Sequence, residues 1–71
     1  MAEMISVSSS NINAIGYDPD SMKLTVEFKS GGTYEYAGVD PAMYTQFLQA
    51  ESIGKFFHAN IKGQFDHQKV G

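Results

Sequence analysis

The chain has no cysteine, no arginine, only two prolines, and no apolar run that approaches the length of a membrane span. Without cysteine there is neither a disulfide framework nor a zinc ribbon, an absence that fits a reducing compartment. The missing arginine and the net charge of −3 argue against a strong nucleic-acid binder, because such proteins draw most of their non-specific affinity from Lys and Arg against phosphates. A transmembrane helix takes about 20 predominantly apolar residues, so a membrane span is excluded. The opening Met1-Ala-Glu-Met-Ile-Ser6 lacks the basic start and apolar run of a signal peptide, and the expected setting is the cytoplasm. Seventy-one residues predict one domain, with its core over about 5–70. A chain of that size buries only about 60% of its unfolded surface, which leaves no room for a lid or a deep enclosed cleft.

What is present is a strong strand pattern in the middle of the chain. Apolar residues fall at Met22, Leu24, Val26 and Phe28 with polar residues between them, the two-residue period of a half-buried strand. Ser30-Gly31-Gly32 follows, and Thr33-Tyr34-Glu35-Tyr36-Ala37 resumes the alternation. The glycines supply the positive φ of a tight connection, so 22–29 and 33–37 read as a hairpin. Upstream, Ile12 and Ala14 share one face of a strand over 12–17, while Ile15 and Tyr17 share the other. A β-bulge accommodates such a phase change, and Gly16 is the residue that would tolerate the bend. Asp18-Pro19-Asp20-Ser21 reads as the turn into the next strand.

Periodicity then switches. Asp40-Pro41 is an N-cap followed by proline at the first helical position, and Met43, Tyr44, Phe47 and Leu48 make the apolar stripe of a helix ending near Ala50. Ser52 caps a second helix with the stripe Ile53, Phe56, Phe57 and Ile61, and Gly63 stands where a left-handed C-cap residue belongs. Gly54, in its first turn, suggests close approach to a neighbour. Phe65 is the anchor of a tail that returns toward the sheet. The fold class is α+β: a small antiparallel meander of three strands, four if residues 5–8 pair, with two C-terminal helices on one face, β-β-β-α-α.

Catalytic chemistry finds no support. His58 and His67 are not at the i, i+4 spacing of a helical metal site, Asp18 and Asp20 flank a proline as turn formers do, and no helix follows Gly31-Gly32 to make a phosphate cradle. No residue is assigned to catalysis, a cofactor or a metal. Two features point to binding. Tyr34 and Tyr36 share one sheet face; on the face of Leu24 and Val26 they are core, and on the opposite face they are a platform for stacking bases. Lys55 sits near a helix N-terminus, where a cation needs an anion beside it. Charge is also uneven: residues 1–51 hold seven of the eight acids with only Lys23 and Lys29, whereas 52–71 hold Lys55, Lys62 and Lys69 against Asp66.

Taken together, Ser8-Ser9, Ile12, Ile15-Gly16-Tyr17-Asp18, Leu24-x-Val26-x-Phe28, Tyr34-Glu35-Tyr36, Ala50-x-Ser52-x-Gly54-Lys55-Phe56-Phe57 and Ile61 resemble the KTSC domain, over roughly residues 5–70. That family takes its name from the C-terminal domain of some lysyl-tRNA synthetases and also stands alone in small bacterial and phage proteins. Tyr34 and Tyr36 match its central Tyr-x-Tyr motif, and Ser52, Gly54, Lys55 and Phe57 match its Ser-x-Gly-Lys-x-Phe segment. The resemblance implies a non-catalytic module that binds RNA or tRNA. This chain departs at His58, where the family often has Asn, at Lys62 for Arg, and at Phe65 for Tyr. The candidate ligand-binding set is Tyr34, Tyr36, Lys55, His58 and Lys62, with Lys55 and Lys62 expected on one helix face. The rival expectation is a protein-interaction module using a sheet edge or the acidic sheet region.

Overall fold

Alternating apolar residues build an antiparallel sheet that buries one face under two short helices. A computed structural model of the chain describes residues 3–71; Met1 and Ala2 of the expected 1–71 domain lie outside the described residues. The elements are β1 (Glu3–Ser6), β2 (Ile12–Asp18), β3 (Lys23–Phe28), β4 (Thr33–Ala37), α1 (Pro41–Leu48), α2 (Ile53–Asn60) and β5 (His67–Lys69). All neighbouring strands are antiparallel, in the sheet order β1-β2-β3-β4-β5. The α+β class therefore holds, but the expected three or four strands are five among the described residues, and the order is β-β-β-β-α-α-β. Residues 5–8 had a pairing pattern too short to decide, and the polar stretch His67-Gln68-Lys69 has no apolar alternation to mark it as a strand.

Register decides the faces, since directly paired residues point to the same side. Ile15, Val26 and Tyr34 form one cross-sheet row; Tyr17, Leu24, Tyr36 and His67 form the next. These rows meet the helices. Ile12, Ile15, Leu24, Val26, Tyr36, Val39, Phe47, Ile53, Phe57 and Ile61 make the buried cluster. The opposite face carries Thr25, Glu27, Thr33 and Glu35, with Lys23 paired to Glu35 at 3.4 Å and Asn13 Nδ2 donating to Glu27 Oε1 at 2.6 Å.

The bulge exists, but it is at Asn13 and not at Gly16. Ile12 pairs with Phe28 and Ala14 with Glu27, so Asn13 is the extra residue that lets Ile12, Ile15 and Tyr17 all face the helices. Met22 also leaves its expected place. It lies in the turn before β3 with φ +55 and is exposed, because the turn needs a left-handed residue there and the strand starts one position later.

The caps fall where the sequence puts them. Asp40 Oδ1 accepts from the Met43 N–H at 2.9 Å, and Ser52 Oγ from the Lys55 N–H at 3.3 Å. Helix α1 stops at Leu48, before Ala50, and leaves Leu48 exposed. Tyr17 fastens α1 to the sheet: its ring stacks on Tyr44 at 4.7 Å and its hydroxyl donates to the Val39 carbonyl. A Cβ on Gly54 would lie 3.5 Å from Ser9 Oγ. The first turn of α2 thus rests directly on the 8–11 loop, the close approach its glycine suggests. None of the described helices is long and apolar enough to cross a membrane.

Candidate functional site

Aromatic side chains from β3, β4, α2 and β5 converge at the edge of the core. Phe28 and Phe57 meet edge to face at 5.3 Å, and Tyr36 meets Phe57 in the same way at 5.5 Å. His67 lies on Tyr36 with ring centres 5.4 Å apart and planes 29° apart, while Tyr34 stands edge-on to Phe28 at 5.8 Å. Between them opens a cleft of about 300 Å³ whose lining adds His58, Lys62 and Gly63. No carboxylate among the described residues lines it, in a chain whose net charge is −3.

Local structure explains how each side chain arrives. Tyr34 and Tyr36 are two apart on β4 and both join the face of Leu24 and Val26, so the alternative of an opposite-face platform is not realised. Their environments differ. Tyr36 is 4% exposed whereas Tyr34 is only partly buried. Among the described residues no group bonds the Tyr36 hydroxyl and no buried side-chain polar atom lacks a partner, so this hydroxyl reaches the surface, where Tyr36 lines the cleft. Burial, with a smaller contribution from Tyr34, pushes the Tyr36 phenol above its ordinary value. Gly32 leaves room for the Tyr34 ring, since a Cβ there would come within 3.1 Å of it. His67 is brought in by β5, where it pairs with Tyr36.

Four of the five expected residues therefore meet: Tyr34, Tyr36, His58 and Lys62. Lys55 does not. It is exposed in the first turn of α2, outside the cleft lining. Lys55 and Lys62 also fail to share a helix face, because α2 ends at Asn60 with Ile61 as its C-cap. The chain then turns through Gly63 at φ +79, and it is this turn that carries Lys62 to the cleft. Sequence reasoning missed Phe28, Phe57 and His67 as lining residues. The two phenylalanines read as core, which they also are, and His67 depends on a strand pairing that spans both helices.

A second concavity, on the open sheet face, is lined by Lys23, Glu35, Ala37, Asp66, His67 and Gln68. Its charges are of both signs and its Lys23–Glu35 pair is internally matched. Among the described residues no group of three or more His, Asp or Glu is arranged to hold a metal ion.

The family model of the KTSC domain matches residues 8–65. A KTSC domain protein of Yersinia pestis, solved by crystallography, superposes over the full length of both chains with a TM-score of 0.97 and 44% identity. An uncharacterized protein of Stutzerimonas stutzeri is 38% identical over 60 residues, 84% of each chain. A lysine–tRNA ligase of Nostoc sp. is 37% identical over 67 residues, which are 94% of this chain but 12% of the ligase.

Proposed function

The chain belongs to the KTSC family, and from that premise we propose that it is a small non-catalytic binding module whose ligand is RNA, either tRNA or another chain with single-stranded bases. The observation that carries this reading is the acid-free cleft, which sets the Tyr34, His58 and His67 rings beside Lys62 in an otherwise acidic chain. Exposed rings stack bases whatever their identity, each contact being worth about 1–3 kcal/mol. Lys62 meets the neighbouring phosphate. The homologous segment within a lysine–tRNA ligase supports a ligand of the RNA class. The test is titration of the purified protein with tRNA and with short single strands at about 50 and 200 mM salt. Binding should weaken as salt rises, Lys62→Glu should remove it, and Lys55→Glu should change it little. No binding at high micromolar RNA at the lower salt overturns the reading.

A protein partner is the second reading, favoured by the outer edge of β1, the end strand of the sheet among the described residues, where Met4 and Ile5 are 40% and 46% exposed. An extended segment added to that edge would gain main-chain hydrogen bonds and an apolar contact. Such a complex should be far less sensitive to salt than an RNA complex.

A further inference from the structure

The cleft does not end at His58. A second cavity of about 330 Å³ lies against it, lined by Ser10, Asn11, Phe28, Lys29, Ser30 and His58. Phe28 and His58 belong to both linings, so the two cavities are halves of one groove with a ring-bearing divider. Its far half is built from the loop before β2 and the β3–β4 hairpin, which the Lys29 N–H ties together by donating to the Asn11 carbonyl at 2.9 Å. Ser9 Oγ accepts from the Asn11 and Ile12 N–H groups at 3.3 Å each, fixing that loop from within. The scaffold is thus held by backbone bonds, and Ser10, Asn11 and Lys29 remain exposed.

Charge runs the same way along the groove. Lys62 stands at one end and Lys29 at the other, with His58 between, and no carboxylate among the described residues lines either half. Lys29 also borders a cavity on the open sheet face that contains Glu27. Glu27 points to that face, where it accepts the hydrogen bond from Asn13. A ligand that fits must be long, carry anionic groups at intervals, and offer flat apolar faces between them. A single-stranded nucleic acid has this alternation, whereas stacking within a duplex hides the flat faces of its bases.

We propose that the groove is a two-subsite track for single-stranded RNA. One base stacks in the Tyr34–His67 half. The next lies over Ser10 and Asn11, whose hydroxyl and amide reach base edges, and Lys29 contacts the phosphate beyond the divider. This extends the RNA-binding reading, on which it rests, to residues of the N-terminal loop and the hairpin.

The experiment is fluorescence anisotropy of labelled hexauridylate against the intact protein and its Lys29→Ala and Lys55→Ala variants across a salt series. A single-stranded phosphate contact contributes about 0.7 to the slope of log K against log salt, so Lys29→Ala should bind more weakly with a slope shallower by that amount. Lys55→Ala should match the parent. A Ser10→Glu variant, which puts a carboxylate into the second half, should reduce affinity without changing the thermal melt. If hexauridylate binds the parent and Lys29→Ala leaves affinity and slope unchanged, the second subsite is overturned while the RNA reading stands. Equal competition by a hairpinless duplex RNA overturns the single-strand track. No binding of any RNA overturns both.

Discussion

The two tyrosines of the Tyr-x-Tyr pair should separate cleanly into a stability residue and a surface residue. Tyr36 is 4% exposed and packs on Phe57 at 5.5 Å and His67 at 5.4 Å, in the row that includes Tyr17 and Leu24. Truncating a buried aromatic ring to alanine costs about 3–5 kcal/mol, the lost transfer energy plus the cavity left behind. The whole domain has about 4–10 kcal/mol at the usual per-residue figure, so Tyr36→Ala should lose a third or more of it. At about 4–8 °C per kcal/mol for a domain of this size, Tm should fall by more than 10 °C. Tyr34 is only partly buried and makes its edge contact at the cleft rim, which places Tyr34→Ala nearer about 1–2 kcal/mol. Tyr36→Phe keeps the ring and removes a hydroxyl with no partner among the described residues, so it should stay within about 0.5 kcal/mol of the parent. Urea denaturation followed by far-UV circular dichroism measures all three. The reasoning is refuted if Tyr36→Ala costs less than about 1 kcal/mol, or if Tyr34→Ala is the more damaging change.

Asp40→Ala and Ser52→Ala should each cost about 1 kcal/mol in the same melts through loss of their side-chain caps. Gly63→Ala should cost about 1–2 kcal/mol, because φ is +79 there; an unchanged melt would mean the turn adapts. Gly54→Ala should be neutral or stabilising by up to about 1 kcal/mol, as its Cβ would make an ordinary 3.5 Å contact with Ser9, whereas Gly54→Leu should push the 8–11 loop away and lower Tm. Burial raises the phenols of Tyr17, Tyr36 and Tyr44, with Asp40 and Asp18 adding to the effect at Tyr17. The fold therefore favours the neutral forms: their contribution is intact below the ordinary tyrosine value of about 10 and is lost as pH rises through the higher folded values. Urea midpoints should fall on the alkaline side of that value, and a flat profile would count against the burial of these rings.

Much of the fold was legible because its signals are local. The alternation through Leu24, Val26 and Phe28, the Asp40-Pro41 start and the Ser52 cap each act within a few residues, and each appears where the spacing places it. Gly54 told of close approach because a missing side chain in a helix has few other uses. What stayed hidden depends on long-range pairing. The side on which Tyr34 and Tyr36 lie is set by the register with β3, and the entry of His67 into the site by a strand from beyond both helices. The bulge was misplaced for a related reason: the phase change appears in the sequence, but the residue that absorbs it, Asn13, is chosen by the partner strand and the 8–11 loop. Counting charge along the chain likewise assigned Lys29 to the acidic part, whereas folding sets it at the end of the groove opposite Lys62.

The last strand gives the cleft a dynamic character. Strands β1 to β4 pair with their sequence neighbours, but β5 returns across both helices; its three residues His67, Gln68 and Lys69, all exposed, pair with β4, and backbone bonds at Asp66, Val70 and Gly71 extend the seam. Contacts that close long loops form late, and short exposed strands open locally at far less than the global free energy. Amides of β5 should accordingly exchange with solvent well before those of β2 and β3. Each such opening lifts His67 off Tyr36 and removes one wall of the cleft. A ligand in the cleft that touches His67 binds only the closed form, so at a hundredfold excess over Kd it would add about 2.7 kcal/mol to the cost of peeling that strand. Occupancy of the cleft would then be readable as slowed exchange at the sheet edge, with no change of fold.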